Sequence, residues 1–304
     1  MVDTGNGAIE FGGVAEEATL TSLDDRLSLL AVGSREATVS FFDRVLARLD
    51  ADGAHVWSRR HGDAGHQAVG AIAAAPDGGL VITGDLEGAM DLGKGLITSS
   101  GTSDAFIAHL DGDGLPMWTR HYGDKYMQGG TQVRVDENGG ILFAGTFESS
   151  IDLGGGPLMS PPIETYPYPG HIWWKGVFFA QMTTDGTHVW SSALLGANGD
   201  AIIWSLDRGQ DGTLVLAGGG AAKLQFPGDV WGRGPGPWVA TLGPDGSPRW
   251  QHGLDDDIYS WSRAAAGPNG SAIAVFSLYG EAQFDGVPIG APGVSSLVLG
   301  QFGP

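Results

Sequence analysis

The chain contains no cysteine, which removes disulfides, thiolate metal ligands and a cysteine nucleophile from consideration. Exported bacterial proteins often lack cysteine too, so the absence assigns no compartment. Basic residues are scarce: 16 Lys and Arg face 35 Asp and Glu, for a formal net charge of −19. A surface of that sign repels phosphate backbones and anionic bilayers. It argues against nucleic acid and favours a cation or a neutral ligand. No apolar run approaches the length of a membrane span. The opening residues MVDTGNGAIEFGG offer neither a basic n-region nor an apolar h-region. The expectation is a soluble, monomeric chain.

Glycine, by contrast, is abundant: 52 of 304 residues, with no Gly-X-Y period, beside 16 Pro. Such a composition serves many tight turns between short strands. Hydrophobic residues at 42% and aromatics at 9% supply a core, so the chain is globular.

Self-similarity points to the architecture. LDADGAHVW (49–57) returns as LDGDGLPMW (110–118), TTDGTHVW (183–190) and LGPDGSPRW (242–250). A second turn family lies between the copies: APDGGLVITG (75–84), DENGGILFAG (136–145), GQDGTLVLAG (209–218) and GPNGSAIAVF (267–276). Short apolar runs flank an Asp-Gly or Asn-Gly turn in each, a strong local hairpin signal. Every unit therefore reads as four antiparallel strands, a to d. In the second unit a is about 69–75, b about 79–86, c about 104–110, and d about 54–60 of the preceding stretch. Sheets of this size bury both faces only when stacked around an axis, as in a β-propeller.

The ends set the count. ATLTSLDDRLSLLAVG (18–33) matches strands a and b, SSLVLGQFG (295–303) matches strand c, and GAIEFGG (7–13) supplies a missing d strand. The expectation is a single all-β domain over 1–304, a five-bladed propeller of four-stranded blades. Its N-terminal half-blade, about 7–40, is completed by the C-terminal strand at about 295–303, which closes the ring.

The order c-strand, DxDG, xxW, GD, then DxxGGxxxxG resembles the β-propeller repeat of exported bacterial proteins known as SBBP repeats. The resemblance spans nearly the whole chain and implies fold rather than activity. The insertion at 154–176 and the irregular fourth and fifth units depart from it.

One face of such a meander carries the a–b and c–d turns. Asp52, Asp77, Asp113, Asp185, Asp211 and Asp245 recur there and read as turn-formers. DADG and DGDG resemble the start of a calcium loop, but the later ligands are missing. Trp57, Trp118, Trp190 and Trp250 share one repeat position, which favours inter-blade packing over sugar stacking.

The opposite face is where the repeat breaks down. Its d–a loops read GDAGHQAV (62–69), GDKYMQGG (123–130), GANGDAII (196–203) and LDDDIYSW (254–261). They gather Glu16, Glu17, Asp63, His66, Gln67, Asp124, Tyr126, Gln128, Asp200 and Tyr259 around one mouth. Crowded carboxylates repel unless a cation or donors neutralise them. Asp255, Asp256 and Asp257 are therefore the candidate metal ligands, for a divalent cation such as Ca²⁺. Asp63 and Asp124 read equally as caps of the Gly-Asp turn.

Along strand a, Gln132, Arg134, Ser205, Asp207 and Arg263 alternate toward one side, as for a partly polar tunnel. Trp204 stands where other units have Gly70 and Thr131. The long insertion 154–176 carries Tyr166, Tyr168, His171, Trp173 and Trp174, which suit a sugar face or a peptide. GDVWGRGPGPW (228–238) extends a neighbouring loop.

No strong catalytic motif appears: there is no GxSxG elbow, HExxH or phosphate loop, and GRGPG is a proline-bearing turn. The leading expectation is a binding module for a small neutral or cationic ligand, a glycan or a peptide. The alternative is an enzyme acting on a sugar or peptide at the acidic mouth, a metal-assisted hydrolase or lyase or a tailoring enzyme. A plain scaffold is the third reading.

Overall fold

The computed structural model describes residues 2–3, 9–10, 19–24, 27–35, 42–49, 52–61, 66–162, 175–196, 199–220, 224–226, 229–230, 236–253, 261–284 and 287–303. Among these the chain is all-β, and its one helical stretch is a 3₁₀ turn at Pro268–Gly270. The chain divides into two compact units, Met1–Ile141 with Thr184–Gly186, and Leu142–Thr183 with Thr187–Pro304.

The first unit holds two four-stranded antiparallel meanders. Sheet I runs Thr19–Asp24, Leu27–Arg35, Phe42–Leu49, His55–His61. Sheet II runs Gln67–Ala74, Leu80–Leu86, Asp104–Leu110, Pro116–Tyr122. Strand order in each follows the chain, because every connection is a short hairpin or a single loop. Two small hairpins accompany them, Val2–Asp3 with Ile9–Glu10 and Ala89–Asp91 with Leu96–Thr98. A further strand, Gln128–Val135, leads into the turn Asp136–Gly140.

In the second unit, sheet III runs Ile141–Phe147, Gly176–Met182, His188–Gly196, and continues through the short Leu224–Phe226 and Asp229–Val230. Sheet IV runs Ala201–Arg208, Leu214–Gly220, Gly236–Leu242, Pro248–Gly253. Sheet V has three strands, Ser262–Ala266, Ala272–Phe284 and Val287–Phe302. A hairpin joins Ser150–Asp152 to Pro157–Met159.

The middle strands explain the apolar runs. Asp104–Leu110 is buried at every residue, so DAFIAHL is covered on both faces and has no polar side. Around it Leu46, Leu80, Ile82, Leu86, Met90, Leu92 and Phe106 form one core cluster of the first unit. Leu142, Val177, Phe179, Leu194, Ile203, Leu216 and Trp238 do the same in the second. Each such side chain contributes roughly 1.5–3 kcal/mol on burial.

Three expectations are corrected. Strand His55–His61 pairs with Phe42–Leu49 and completes sheet I, and the fourth strand of sheet II is its own Pro116–Tyr122. The Asp-Gly hairpin decides this, since it folds the following strand back on the one before it. Sheet I consequently has its own third strand, Phe42–Leu49, and 295–302 instead pairs with 272–279 in sheet V. Residues 150–159 form a small hairpin, so the start of the 154–176 insertion is regular. Its counterpart is 89–98, and MDLGKG and IDLGGG are the shared signal. Asp91 and Asp152 each receive two turn amides there.

Candidate functional site

The Asp-Gly turns have the structural role their chemistry suggests. Asp77 Oδ1 accepts the Gly79 amide at 3.0 Å, Asp211 Oδ1 that of Thr213 at 3.0 Å, and Asp245 Oδ1 that of Ser247 at 3.0 Å. In 110–118 the capping residue is Asp111, which accepts the amides of Asp113 and Leu115, each at 2.9 Å. Asp211 lies below its ordinary value of 3.8 because the Thr213 amide and hydroxyl favour the carboxylate. Asp245 is lowered likewise, chiefly by the Ser247 hydroxyl and then its amide.

At the loops preceding the inner strands, two buried glutamines stand at one repeat position. Gln67 Nε2 donates to the carbonyls of Glu87 (2.9 Å) and Ala89 (3.3 Å). Gln128 Nε2 donates to Asp124 Oδ1 at 2.7 Å while its Oε1 accepts the Asp124 amide at 3.1 Å. Asp124 also accepts the Tyr126 amide at 2.8 Å, so it caps the Gly-Asp turn. The loop before Asp104–Leu110 clamps onto this one: Gln128 N donates to Ser103 O at 2.9 Å, and Ser103 Oγ to Gln128 O at 3.2 Å. The Lys125 ammonium sits 4.9 Å from the centre of the Tyr126 ring.

His66 Nδ1 lies 3.2 Å from Asp85 Oδ2. A Cβ added at Gly129 would be 3.6 Å from that of Asp85, so this pair stands beside the start of the next inner strand. His66, Gln67, Asp124, Tyr126 and Gln128 thus share one end of the first unit.

Sequence reasoning missed a titratable pair at this end, Asp104 with His121. Asp104 is fully buried and accepts from the Ser100 amide (3.0 Å), the Ser100 hydroxyl (3.3 Å) and His121 Nδ1 (2.8 Å). A carboxylate accepts, so Nδ1 donates and Nε2 is the basic nitrogen of a ring whose side chain is 31% exposed. The signal lay in hairpin register: His121 pairs with Phe106, which places it diagonally from Asp104 on one face. Nearby Tyr122 is raised above its ordinary 10.0 by burial, against the opposing Arg120 charge.

In the second unit Asp200 Oδ1 accepts the Lys175 amide at 2.8 Å, and Lys175 O accepts that of Ala201 at 2.8 Å. Asp200 therefore anchors the return of the insertion. Trp204 occupies a bulge between Ile203 and Ser205, with its ring over Gly219. Ser205 Oγ and Asp207 Oδ2 accept the amides of Ala264 (3.0 Å) and Ala266 (2.8 Å), tying two inner strands together. Arg134 and Arg263 are exposed and turn back on the carbonyls of Val133 (2.9 Å) and Ser262 (3.1 Å).

Asp63, Tyr168, His171, Trp173, Trp174, Asp255, Asp256, Asp257 and Tyr259 lie outside the described residues. Among the described residues no group of three His, Asp or Glu is placed to hold a metal ion. No described helix is long and apolar enough to cross a membrane. No protein-family model matches the chain, and no curated protein matches it.

Proposed function

We propose that the chain is a five-bladed β-propeller of the SBBP-repeat kind that binds a ligand or partner through its inter-blade loops. Sheets I, II, IV and V each form a blade, and sheet III forms another with Gln128–Val135 as its inner strand. Close approach of successive inner strands supports a radial array. A Cβ at Gly70 would strike the Gly130 carbonyl, and Ser205 and Asp207 bind the amides of Ala264 and Ala266. Sheet V supports closure by another strand. Leu297 and Leu299 are 70% and 74% exposed, whereas the corresponding strands Asp104–Leu110, Gly176–Met182 and Gly236–Leu242 are buried along nearly their whole length. The strand that would complete that blade is the one read from the sequence at about 7–13, of which residues 9–10 alone are described. Deleting residues 1–13 is expected to lower the melting temperature by several degrees. An unchanged melt would remove the closure.

The observation that carries a binding role is the commitment of polar groups at the loop end. Gln67, Asp124 and Gln128 hold loops to strands, which makes a rim that presents Tyr126 and His66 to a neutral or cationic ligand. A screen of neutral oligosaccharides and cationic peptides against the wild type and a His66→Ala, Tyr126→Ala variant tests it. Hits lost in the variant support the rim; hits of equal affinity for both proteins overturn it.

The Asp104–His121 pair favours the enzyme as the second reading. A buried carboxylate that orients a partly exposed histidine is what a general base needs. Turnover of any glycoside or peptide substrate that is lost in His121→Gln would favour it over the binder.

A further inference from the structure

Three Asp-Gly turns follow a tryptophan of the preceding repeat, and two of these junctions are locked alike. At the first, Trp57 Nε1 donates to Gly112 O at 2.9 Å and Arg48 Nη1 to the same carbonyl at 2.6 Å. Arg59 Nε donates to Asp113 O at 2.9 Å, with its guanidinium 6.0 Å from the Trp57 ring centre. At the second, Trp118 Nε1 donates to Thr184 O at 2.9 Å and His109 Nδ1 is 3.3 Å from that oxygen. Arg120 Nη2 donates to Asp185 O at 3.2 Å, with its guanidinium 5.7 Å from the Trp118 ring centre.

The third junction, within the second unit, keeps the turn and loses the donors. Gly246 sits over Trp190, as Gly114 does over Trp57 and Gly186 over Trp118. Trp190 Nε1 instead donates to Gln181 Oε1 at 2.9 Å, and Gln181 stands at the position of Arg48 and His109. Ser192 replaces the arginine two residues after the tryptophan. The carbonyls of Pro244 and Asp245 accept no hydrogen bond from a described residue. A cavity of about 580 Å³ opens at this junction, lined by Gln181, Trp190, Pro244, Asp245, Ser247 and Arg249 among others.

We infer that this cavity is a guanidinium site, taking the arginine side chain of a peptide or a small guanidinium compound. The lock at the other two junctions shows what fits: a guanidinium that donates to the carbonyl of the turn aspartate beside the indole. At the third junction a planar fork could reach both open carbonyls. Asp245 adds a carboxylate at the same turn, partly offset by Arg249, whose Nη1 donates to Thr213 Oγ1 at 2.6 Å. The net charge of −19 draws cations toward the protein. An ammonium lacks the planar fork and makes fewer of these bonds at once. The site is distinct from the loop rim, so it stands or falls independently of the proposed function.

Titrating the full chain with N-methylguanidinium and with acetyl-arginine amide, monitored by calorimetry and indole resonances, tests the inference. Both are expected to bind at least about tenfold more tightly than N-methylammonium or acetyl-lysine amide, the factor one charge-assisted hydrogen bond supplies. Ser192→Arg supplies the missing donor from within and is expected to abolish that binding and raise the melting temperature. Should that variant not fold, Arg120→Ala opens an equivalent vacancy, and its melt is expected to respond to N-methylguanidinium more strongly than that of the wild type. The inference is overturned by no binding, by equal affinity for the ammonium compounds, or by undiminished binding to a folded Ser192→Arg protein. It is equally overturned, where Ser192→Arg does not fold, by an Arg120→Ala melt no more responsive than the wild type.

Discussion

Trp118 donates its indole N–H to a turn carbonyl, whereas the equivalent nitrogen of Trp250 is buried with no hydrogen-bond acceptor among the described residues. A net hydrogen bond contributes about 1 kcal/mol, and an unsatisfied buried donor costs about 1–3 kcal/mol. Trp118→Phe is therefore expected to lower the urea midpoint by the equivalent of at least about 1 kcal/mol. Trp250→Phe, which deletes an orphaned donor and keeps the ring, is expected to leave the midpoint unchanged or raise it. Equal losses in the two variants would mean that ring packing alone matters. Asp211 makes a different residue-scale prediction. Its native value is depressed by Thr213, so the unfolded chain binds more protons between that value and 3.8. The stabilisation is complete above 3.8 and fades as pH falls through the lower native value. Asp211→Asn should then be less stable than the wild type at neutral pH, with the gap closing below 3.8. Denaturant midpoints across that range would show it, and a gap independent of pH would refute it.

At the scale of the element, three strands, Leu80–Leu86, Ile141–Phe147 and Leu214–Gly220, carry a recurring glycine, seen in VITGD, LFAGT and VLAGG. At Gly84 an added methyl would strike the Ala68 carbonyl, and at Gly218 that of Ile202, because each inner strand bulges opposite them. The obstacle is backbone, which cannot rotate away, so Gly84→Ala and Gly218→Ala are each expected to cost about 1–3 kcal/mol. A thermal melt reads this directly, and wild-type stability would mean that the bulge relaxes. Such elements were largely legible in the sequence, since Asp-Gly turns and alternating runs are local signals. Strand Asp104–Leu110 was expected at its observed limits for that reason. Partnership was less legible. The spacing of repeats is the same whether His55–His61 joins the strands before or after it, and it is the Asp-Gly turn that folds it back on Phe42–Leu49. The site fared similarly. Gln128 and Asp124 were both singled out for the loop mouth, and their mutual bonds make them loop clamps. The Asp104–His121 contact needs a register that no single strand encodes. The opened junction at Trp190 was hidden because Trp190 itself keeps the repeat; Gln181 and Ser192 differ, and only their geometry shows what they replace.

For the molecule as a whole, the excess of acids is handled locally. Asp77, Asp91, Asp111, Asp152, Asp211 and Asp245 meet turn amides, which stabilise each carboxylate without cancelling its charge. A net charge of −19 on 304 residues then remains as self-repulsion across the surface. Sodium chloride screens that repulsion: the Debye length falls from about 30 Å at 0.01 M to about 10 Å at 0.1 M. The turn hydrogen bonds are short-ranged and do not weaken much over that interval. The melting temperature is therefore expected to rise by a few degrees between those concentrations and to level off above them. A fall instead would mean that attractive pairs outweigh the excess. Screening acts in the opposite sense on cation binding, because it also weakens the field that draws a guanidinium to the Trp190 junction. Stability and guanidinium affinity should accordingly move in opposite directions with salt, and a common direction would place the bound cation outside the protein's own field.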